Sequence, residues 1–269
     1  MDSPYDNLVI RWHKDSRYFQ MKTLALFNHH PECSNQCCFG MMRALEPNYK
    51  VKWFDVRSNL DEVLNEADGL CFPGGIGDSD SYFDFFTRTK ANKIAAFISR
   101  GGRYIGICMG AYWAGSRYFD ILDGIDVTQY IKRPTAEIKR SYGTVAEITY
   151  ESDFSKDKMF FYDGGAVTLT DIHATYQVKA RYRNGDPMAL IQNNIGIIGC
   201  HPESEEFWYE MYPYIKDNWH ECRHHKWLLE FVDELMESWP SGLRHLTANE
   251  TNVNSVPWVQ IPHSPPLQR

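Results

Sequence analysis

The sequence lacks long apolar runs, a basic stripe and internal repeats. None of its hydrophobic stretches approaches the roughly 20 residues that cross a bilayer, which argues against a membrane protein. The net charge of −7, without clusters of Lys and Arg, argues against direct binding of nucleic acid. The first residues show neither the basic nor the apolar region of a secretory signal. We therefore expect a cytoplasmic protein that binds neither a membrane nor nucleic acid.

The sequence also lacks the cysteine pattern of a disulfide framework. Its seven cysteines are odd in number and irregularly spaced, so we expect reduced thiols. The 269 residues are 43% hydrophobic, enough for one large domain with extensions. Composition predicts an N-terminal extension over residues 1–20, a domain over 21–238, and a poorly ordered tail over 239–269 that is rich in Pro, Ser, Asn and Gln.

Strands and helices alternate through the first half of the chain. The apolar patterns predict strands at 22–27, 49–56, 69–72 and 103–107, separated by helices at 33–45, 61–66 and 87–99. This order predicts an α/β fold with a mostly parallel central sheet and helices on both faces. Ligands of such sheets bind beyond the carboxyl ends of the strands. The Pro-Gly-Gly at 73–75 and Cys108 both follow strand ends there.

The second half reads as shorter β segments followed by helices. Strands are predicted at 143–150, 159–162, 167–169 and 176–181, a hairpin at 189–192 and 195–199, and helices at 205–216 and 222–238. Within the last region, His220, Cys222, His224 and His225 suggest zinc. Their spacing fits no recognised zinc pattern and they share one helix, so we expect no metal there. No cofactor motif was found, and none is expected.

The most informative stretch is 103–115, where an apolar strand runs into Gly-Ile-Cys-Met-Gly at 106–110. Gly-x-Cys-x-Gly between a strand and a helix has the pattern of a nucleophile elbow, with Cys108 in the place of serine. The flanking glycines permit a tight turn. A thiol at the start of a helix is favoured as the thiolate. The alternative for Cys108 is a buried structural thiol.

A nucleophile of this kind needs a base, and the chain offers one at 199–203 (Gly-Cys-His-Pro-Glu). His201 is the candidate base for Cys108, and Glu203 is the candidate group that orients the imidazole. The alternatives are a histidine on a surface loop and a solvated carboxylate.

These motifs together resemble the class I glutamine amidotransferase-like superfamily. That superfamily carries a Pro-Gly-Gly loop, a Gly-x-Cys-x-Gly elbow and a late His-x-Glu, in the order found here. A more similar branch is the N-terminal domain of eukaryotic biotin–protein ligases, which also occurs as stand-alone proteins. That similarity runs through the elbow and through residues 161–165, 180–182 and 199–203, and it extends over roughly 21–237. The resemblance implies a flavodoxin-like amidotransferase fold.

With this resemblance, the backbone N–H groups of Gly75 and Met109 are candidates for an oxyanion hole. Gly74, Gly110 and Tyr112 are candidates for contact with a substrate. The alternatives are a plain turn at the glycines and a core position for Tyr112.

One departure from the superfamily lies directly after the elbow. Its glutamine-hydrolysing members usually carry Gly-x-Cys-x-Gly-x-Gln, whereas this chain has Tyr112 in the place of that glutamine. The leading hypothesis is an amidohydrolase that uses Cys108, His201 and Glu203 to release ammonia from glutamine or a related small amide. The acceptor would be a separate ATP-dependent synthetase or ligase. The alternatives are a non-catalytic module that binds a ligand or a partner and, less favoured, a cysteine peptidase or hydratase.

Overall fold

A computed structural model describes residues 21–29, 34–75 and 77–237. These residues belong to one compact unit. The expected extension over 1–20 and tail over 239–269 lie outside the described residues.

The described residues form eleven strands and seven α-helices. The strands are β1 (Thr23–Phe27), β2 (Lys50–Phe54), β3 (Gly69–Phe72), β4 (Arg103–Ile107), β5 (Ile125–Gln129), β6 (Thr144–Tyr150), β7 (Lys156–Phe161), β8 (Gly165–Leu169), β9 (Gln177–Tyr182), β10 (Pro187–Gln192) and β11 (Ile195–Ile198). The helices are α1 (Asn35–Leu45), α2 (Leu60–Glu66), α3 (Tyr82–Phe85), α4 (Arg88–Ser99), α5 (Met109–Trp113), α6 (Glu206–Glu210) and α7 (Arg223–Glu237).

Nine strands form one mixed sheet in the order β2-β1-β3-β4-β11-β10-β9-β6-β7. The strands from β2 to β11 in this order are parallel, and those from β11 to β7 are antiparallel. The predicted α/β class is confirmed, with the parallel half of the sheet built from the alternating first part of the chain. The predicted hairpin around Asn193 is also confirmed, as the antiparallel pair β10 and β11.

The structure differs from the sequence prediction at several elements, one of which is the short helix α3, which was not predicted. A strand at Ile125–Gln129 was not predicted, and it pairs with β8 in a separate two-stranded sheet. The helix predicted over 205–216 is only the short α6, followed by a 3-10 turn at Lys216–Asn218. Pro213 explains the shortening, because proline cannot donate the hydrogen bond that would continue the helix.

An aromatic cluster fills the core around β3 and β4. The ring of Phe72 stacks on Tyr104 with 5.1 Å between centroids, and it meets Trp113 edge-on at 6.0 Å. All five residues of β4 are buried. Helix α7 contacts β4 and β11, and it packs against α1. In the part of the chain that the structure describes, no helix has the length and apolar character needed to cross a membrane.

The three histidines in and next to α7 are buried and held by protein groups. His224 Nε2 lies 3.0 Å from Asp157 Oδ2, and His220 Nε2 lies 3.3 Å from Ser204 Oγ. The Nε2 atom of His225 lies 3.0 Å from the Ser204 carbonyl oxygen. Cys222, the fourth member of the suspected zinc cluster, is exposed. These contacts give the three histidines structural roles.

We expect the buried His220 to make the fold sensitive to acid. Burial, together with the charges of His224 and His225, lowers the pKa of His220 to about 2. A histidine in an unfolded chain has a pKa of about 6.5. Below that pH, His220 is protonated in the unfolded chain but stays neutral in the folded one. The free energy of unfolding should therefore fall by about 2 kcal/mol between pH 6.5 and 5.0. Urea unfolding of the wild type and of His220→Gln at both pH values measures this, and equal pH dependence in the two proteins would contradict it.

Candidate active site

Cys108 lies in a strained turn between β4 and α5. Its backbone has φ 50° and ψ −102°, a conformation that is costly for any residue with a side chain. The turn is also crowded, since a Cβ on Gly106 would lie 2.4 Å from the Gly110 carbonyl oxygen. A glycine is therefore required at 106. The structure thus has a tight turn between strand and helix with Cys108 at its apex, and the nucleophilic role of Cys108 stays a prediction.

Two parallel strands bring Cys108 and His201 together. Ile107, the last residue of β4, pairs with Ile198, the last residue of β11. The Cys108 N–H donates a hydrogen bond of 2.8 Å to the Ile198 carbonyl oxygen. Because only two residues lie between the end of β11 and His201, both side chains lie at the same edge of the sheet.

Glu203 holds the imidazole of His201 in place. His201 Nδ1 lies 2.9 Å from Glu203 Oε1, and both side chains are buried. Burial by itself lowers the pKa of His201, but the charges of Cys108 and Glu203 raise it well above its usual range. Hydrogen bonding of the ring with Cys108 contributes to the same rise. The three residues form a connected buried group in which the imidazolium is stabilised.

The loop at 162–164 supplies the other wall around the sulfur. Cys108 Sγ lies 3.6 Å from the Tyr162 carbonyl oxygen, at hydrogen-bond distance for a thiol. This loop packs tightly on the strand that leads to His201, because a Cβ on Gly164 would lie 2.0 Å from the Gly199 carbonyl oxygen. The Tyr182 hydroxyl donates to the Gly165 carbonyl oxygen at 2.8 Å. One packed unit behind the site is thus formed by the three motifs at 161–165, 180–182 and 199–203.

A cavity of about 1010 Å³ opens above Cys108. Five of the predicted site residues line this cavity: Gly75, Cys108, Met109, Tyr112 and His201. Met109 is the first residue of α5, so its N–H has no acceptor within the helix and is available to a ligand. The cavity is at the upper end of the usual range for small-molecule sites, which is roughly 300–1,000 Å³. It leaves room around a substrate as small as glutamine.

Gly74 and Gly110, which were predicted to contact a substrate, are closely packed against neighbouring residues of the protein. A Cβ on Gly74 would lie 2.5 Å from His201 Cε1, and a Cβ on Gly110 would lie 2.0 Å from the Phe72 carbonyl oxygen. Both glycines are buried, and neither is among the described residues that line the cavity. Contact of either one with a substrate stays a prediction, while their close packing is a second reason for glycine at these positions.

Tyr112 takes the place of the superfamily's glutamine and turns toward the loop at 162–164. Its hydroxyl donates a 3.1 Å hydrogen bond to the Asp163 carbonyl oxygen, and burial raises its pKa. The Asp163 carboxylate accepts from Gln129 Nε2 at 3.0 Å. Tyr112 therefore belongs to a polar wall of the cavity and is neither solvent-exposed nor purely core.

Two residues of the site were not predicted from the sequence. The first is Cys37 on α1, which lines the same cavity and lies within hydrogen-bond reach of His201. The helical pattern of 33–45 indicates only that Cys37 is buried. The second is Gln129, which lies on the strand β5 that was not predicted. For the polar wall of the cavity that contains Asp163, the motif at 161–165 was the one signal in the sequence.

The sequence and the structure were each compared with known proteins. Residues 28–128 match the model of the family described as "Biotin-protein ligase, N terminal". The biotin–protein ligase of Schizosaccharomyces pombe is 28% identical over 187 residues, which cover 58% of this chain and 29% of that protein. The chain thus spans less than a third of the curated relative that it matches. The activity of that whole protein is not carried over.

Solved structures agree with the sequence matches. PurLQS from Thermotoga maritima superposes with a TM-score of 0.55 at 15% identity, covering 80% of this chain and 99% of that one. A glutamine amidotransferase from the same organism gives 0.55 at 13% identity, covering 81% and 99%. A glutamine amidotransferase from Methylobacillus flagellatus gives 0.51 at 9% identity, covering 87% and 99%.

The fold is that of the class I glutamine amidotransferases. The resemblance stated from the motifs is therefore confirmed, both for this amidotransferase-like fold and for the similarity to biotin–protein ligase N-terminal domains. Identities of 9–15% to the solved structures establish the fold and not the reaction.

Proposed function

We propose that this amidotransferase-like chain is a cysteine amidohydrolase that releases ammonia from glutamine or a related small amide. The observation that carries the proposal is the connected group at the strand ends. Cys108 stands on a strained elbow, within hydrogen-bond reach of a buried His201 that Glu203 holds at 2.9 Å. Strain and a buried ion-paired imidazole are costly for a protein, and nucleophilic catalysis is the use that explains both.

The arrangement supports a two-step hydrolysis. The Cys108 sulfur attacks the carboxamide carbon, and the N–H groups of Met109 and Gly75 stabilise the oxyanion that forms. The imidazolium of His201 protonates the leaving nitrogen, so ammonia departs and a thioester remains on Cys108. His201 then removes a proton from water, which attacks the thioester, releases the carboxylic acid and restores the thiolate.

Activation of Cys108 depends on His201 more than on the helix behind it. Helix α5 contains only five residues, so its dipole is small and offers little support to a thiolate. The imidazolium that Glu203 stabilises supplies a full positive charge instead. This division of roles predicts that His201 variants lose reactivity at Cys108 even when the elbow is intact.

The partner of such an enzyme would be a separate acceptor of ammonia, such as an ATP-dependent synthetase or ligase. The similarity to glutamine amidotransferases supports this class of partner. We place the reaction in the cytoplasm, where thiols stay reduced. All described cysteines are free, in keeping with that compartment.

Labelling with a chloroketone analogue of glutamine tests the proposal. We expect stoichiometric alkylation at Cys108 alone, slowed by excess glutamine and lost in His201→Ala, as read by intact mass and peptide mapping. The Cys222→Ser variant is the background protein, since Cys222 is the exposed thiol of the described region. Rapid alkylation of Cys108 by iodoacetamide without any effect of glutamine would redirect the search to other amides. Slow alkylation spread over several cysteines would refute a catalytic Cys108 and favour a binding module.

A further inference from the structure

Helix α1 places a second thiol against the triad. Gly40 lies one turn after Cys37, and a Cβ there would be 2.0 Å from the Glu203 carbonyl oxygen, so α1 packs directly on the loop that carries Glu203. On the other side, a Cβ on Gly74 would lie 3.1 Å from His201 Nδ1 and 3.2 Å from Cys37 Sγ. Cys37 and the His201 ring thus flank the same small space.

Three potential metal ligands converge there. Cys37 Sγ, a ring nitrogen of His201 and a carboxylate oxygen of Glu203 all lie within 4.8 Å of one another. In a tetrahedral zinc site with Zn–S of about 2.3 Å and Zn–N or Zn–O of about 2.0–2.2 Å, ligand atoms lie roughly 3.4–3.6 Å apart. The three atoms are therefore close enough to bind one ion after small shifts of their side chains.

A second, independent observation at Glu203 points to a ligand. Its side chain is fully buried, and its Oε2 atom has no hydrogen-bond partner among the described residues. A buried carboxylate oxygen without a partner is costly, because water no longer solvates it. Since Oε1 is already bound to His201, Oε2 is the oxygen that remains to be satisfied.

We propose that Cys37, His201 and Glu203 form a zinc site that competes with catalysis. A thiolate, an imidazole and a carboxylate are the ligands that favour Zn²⁺ over Mg²⁺ or Ca²⁺. The fourth position opens on the cavity, which Cys37 and His201 both line. An ion held by Glu203 and His201 replaces the hydrogen bond that orients the imidazole, so the base is no longer available to Cys108.

Zinc binding itself does not depend on the proposed hydrolase activity, but its effect on Cys108 does. The two proposals therefore fail separately. If zinc binds at Cys37 and Cys108 is never alkylated selectively, the zinc site stands and the hydrolase proposal falls. If Cys108 is alkylated as expected and no zinc binds, only the zinc proposal falls.

The test is a zinc titration of the full chain, stripped with a chelator, in competition with a chromophoric zinc indicator. The background protein carries Cys222→Ser, and Cys37→Ser is compared with Cys38→Ser. Cys38 is a matched control because it is buried on the same helix, but its thiol faces the Phe27 carbonyl oxygen at 3.5 Å. We expect one zinc per chain in the background and Cys38→Ser proteins, and at least about 100-fold weaker binding in Cys37→Ser.

Cobalt gives a second readout that reports the ligand atoms. Co²⁺ bound to a thiolate shows a sulfur-to-metal charge-transfer band, which should appear in the Cys38→Ser protein and be absent in Cys37→Ser. Glu203→Gln keeps the shape of the side chain and should weaken zinc binding without removing that band. Absence of stoichiometric zinc in the wild type, or equal affinity in Cys37→Ser and Cys38→Ser, would overturn the proposal. Thermal unfolding of each variant separates loss of ligands from loss of fold.

Discussion

Replacing Cys108 by alanine will abolish amide hydrolysis while leaving the fold intact. Removal of a covalent nucleophile costs roughly 10⁴–10⁶-fold in rate in enzymes that depend on one, and alanine leaves no group for the substrate to acylate. Cys108 is a small side chain at the edge of a cavity, so we expect the free energy of unfolding to change by about 1 kcal/mol at most. Ammonia release from glutamine and urea unfolding, measured on the same preparation, check both parts.

A glycine at the same position provides the matched comparison. Glycine adopts φ 50°, ψ −102° without the steric cost that Cys108 and an alanine both bear there. We expect Cys108→Gly to be equally inactive but more stable than Cys108→Ala by about 1 kcal/mol. Unchanged hydrolysis in either variant would mean that Cys108 is not the nucleophile, and gross unfolding of Cys108→Ala would mean that Cys108 is a core residue.

Replacing Gly110 by alanine will destabilise the whole elbow. The added Cβ would lie 2.0 Å from the Phe72 carbonyl oxygen and 2.7 Å from its carbon. Both are backbone atoms of β3, so α5 must move away from the sheet. We expect a loss of about 3 kcal/mol in the free energy of unfolding, at the upper end for overpacking of a core. Urea unfolding measures this loss. Alkylation of Cys108 by the glutamine analogue should also slow, because α5 carries Met109, whose N–H belongs to the proposed oxyanion hole.

Gly69→Ala is the control for that substitution. It likewise adds a methyl group to a buried glycine, here on β3, but the nearest atoms belong to side chains, Leu24 Cδ2 at 3.0 Å and Arg103 Cβ at 3.1 Å. We expect a loss of only about 1 kcal/mol, because the end of Leu24 can rotate and Arg103 Cβ needs to shift much less than the Phe72 backbone must in Gly110→Ala. If the two variants lost equal stability, close packing of α5 on β3 would not be the cause.

The parallel half of the fold was predictable from the sequence because its signals are local. Strands β1, β3 and β4 are short, mostly buried apolar runs, β2 alternates polar and apolar residues, and the elbow between β4 and α5 is a contiguous motif. Strand β5 (IDVTQ) gave a weaker signal, since only Ile125 and Val127 of its five residues are apolar. Its pairing with β8 depends on residues some distance along the chain, which no local pattern contains.

In the candidate site, too, residues in local motifs were predictable and residues placed by long-range packing were not. Cys108, His201 and Glu203 stand in motifs that identify them as candidates, and their chemistry limits how they would be used. Cys37 stands in an ordinary amphipathic helix, where burial is the only inference that periodicity permits. Its position beside His201 depends on close packing at two glycines: Gly40 on the same helix packs against Glu203, and Gly74 packs against both Cys37 and His201. These contacts join residues that are far apart in the sequence, so they are a property of the folded chain alone.

The pairing of Ile107 with Ile198 has a consequence for the protein during its synthesis. The thiol leaves the ribosome long before the imidazole that would activate it, because the strand before His201 is among the last of the sheet to be made. Until β11 adds to β4, Cys108 has neither its base nor the backbone acceptor at Ile198. Under the proposed function, the nascent chain therefore carries an ordinary thiol, and Cys108 becomes reactive only when the long-range pairing of β11 with β4 forms.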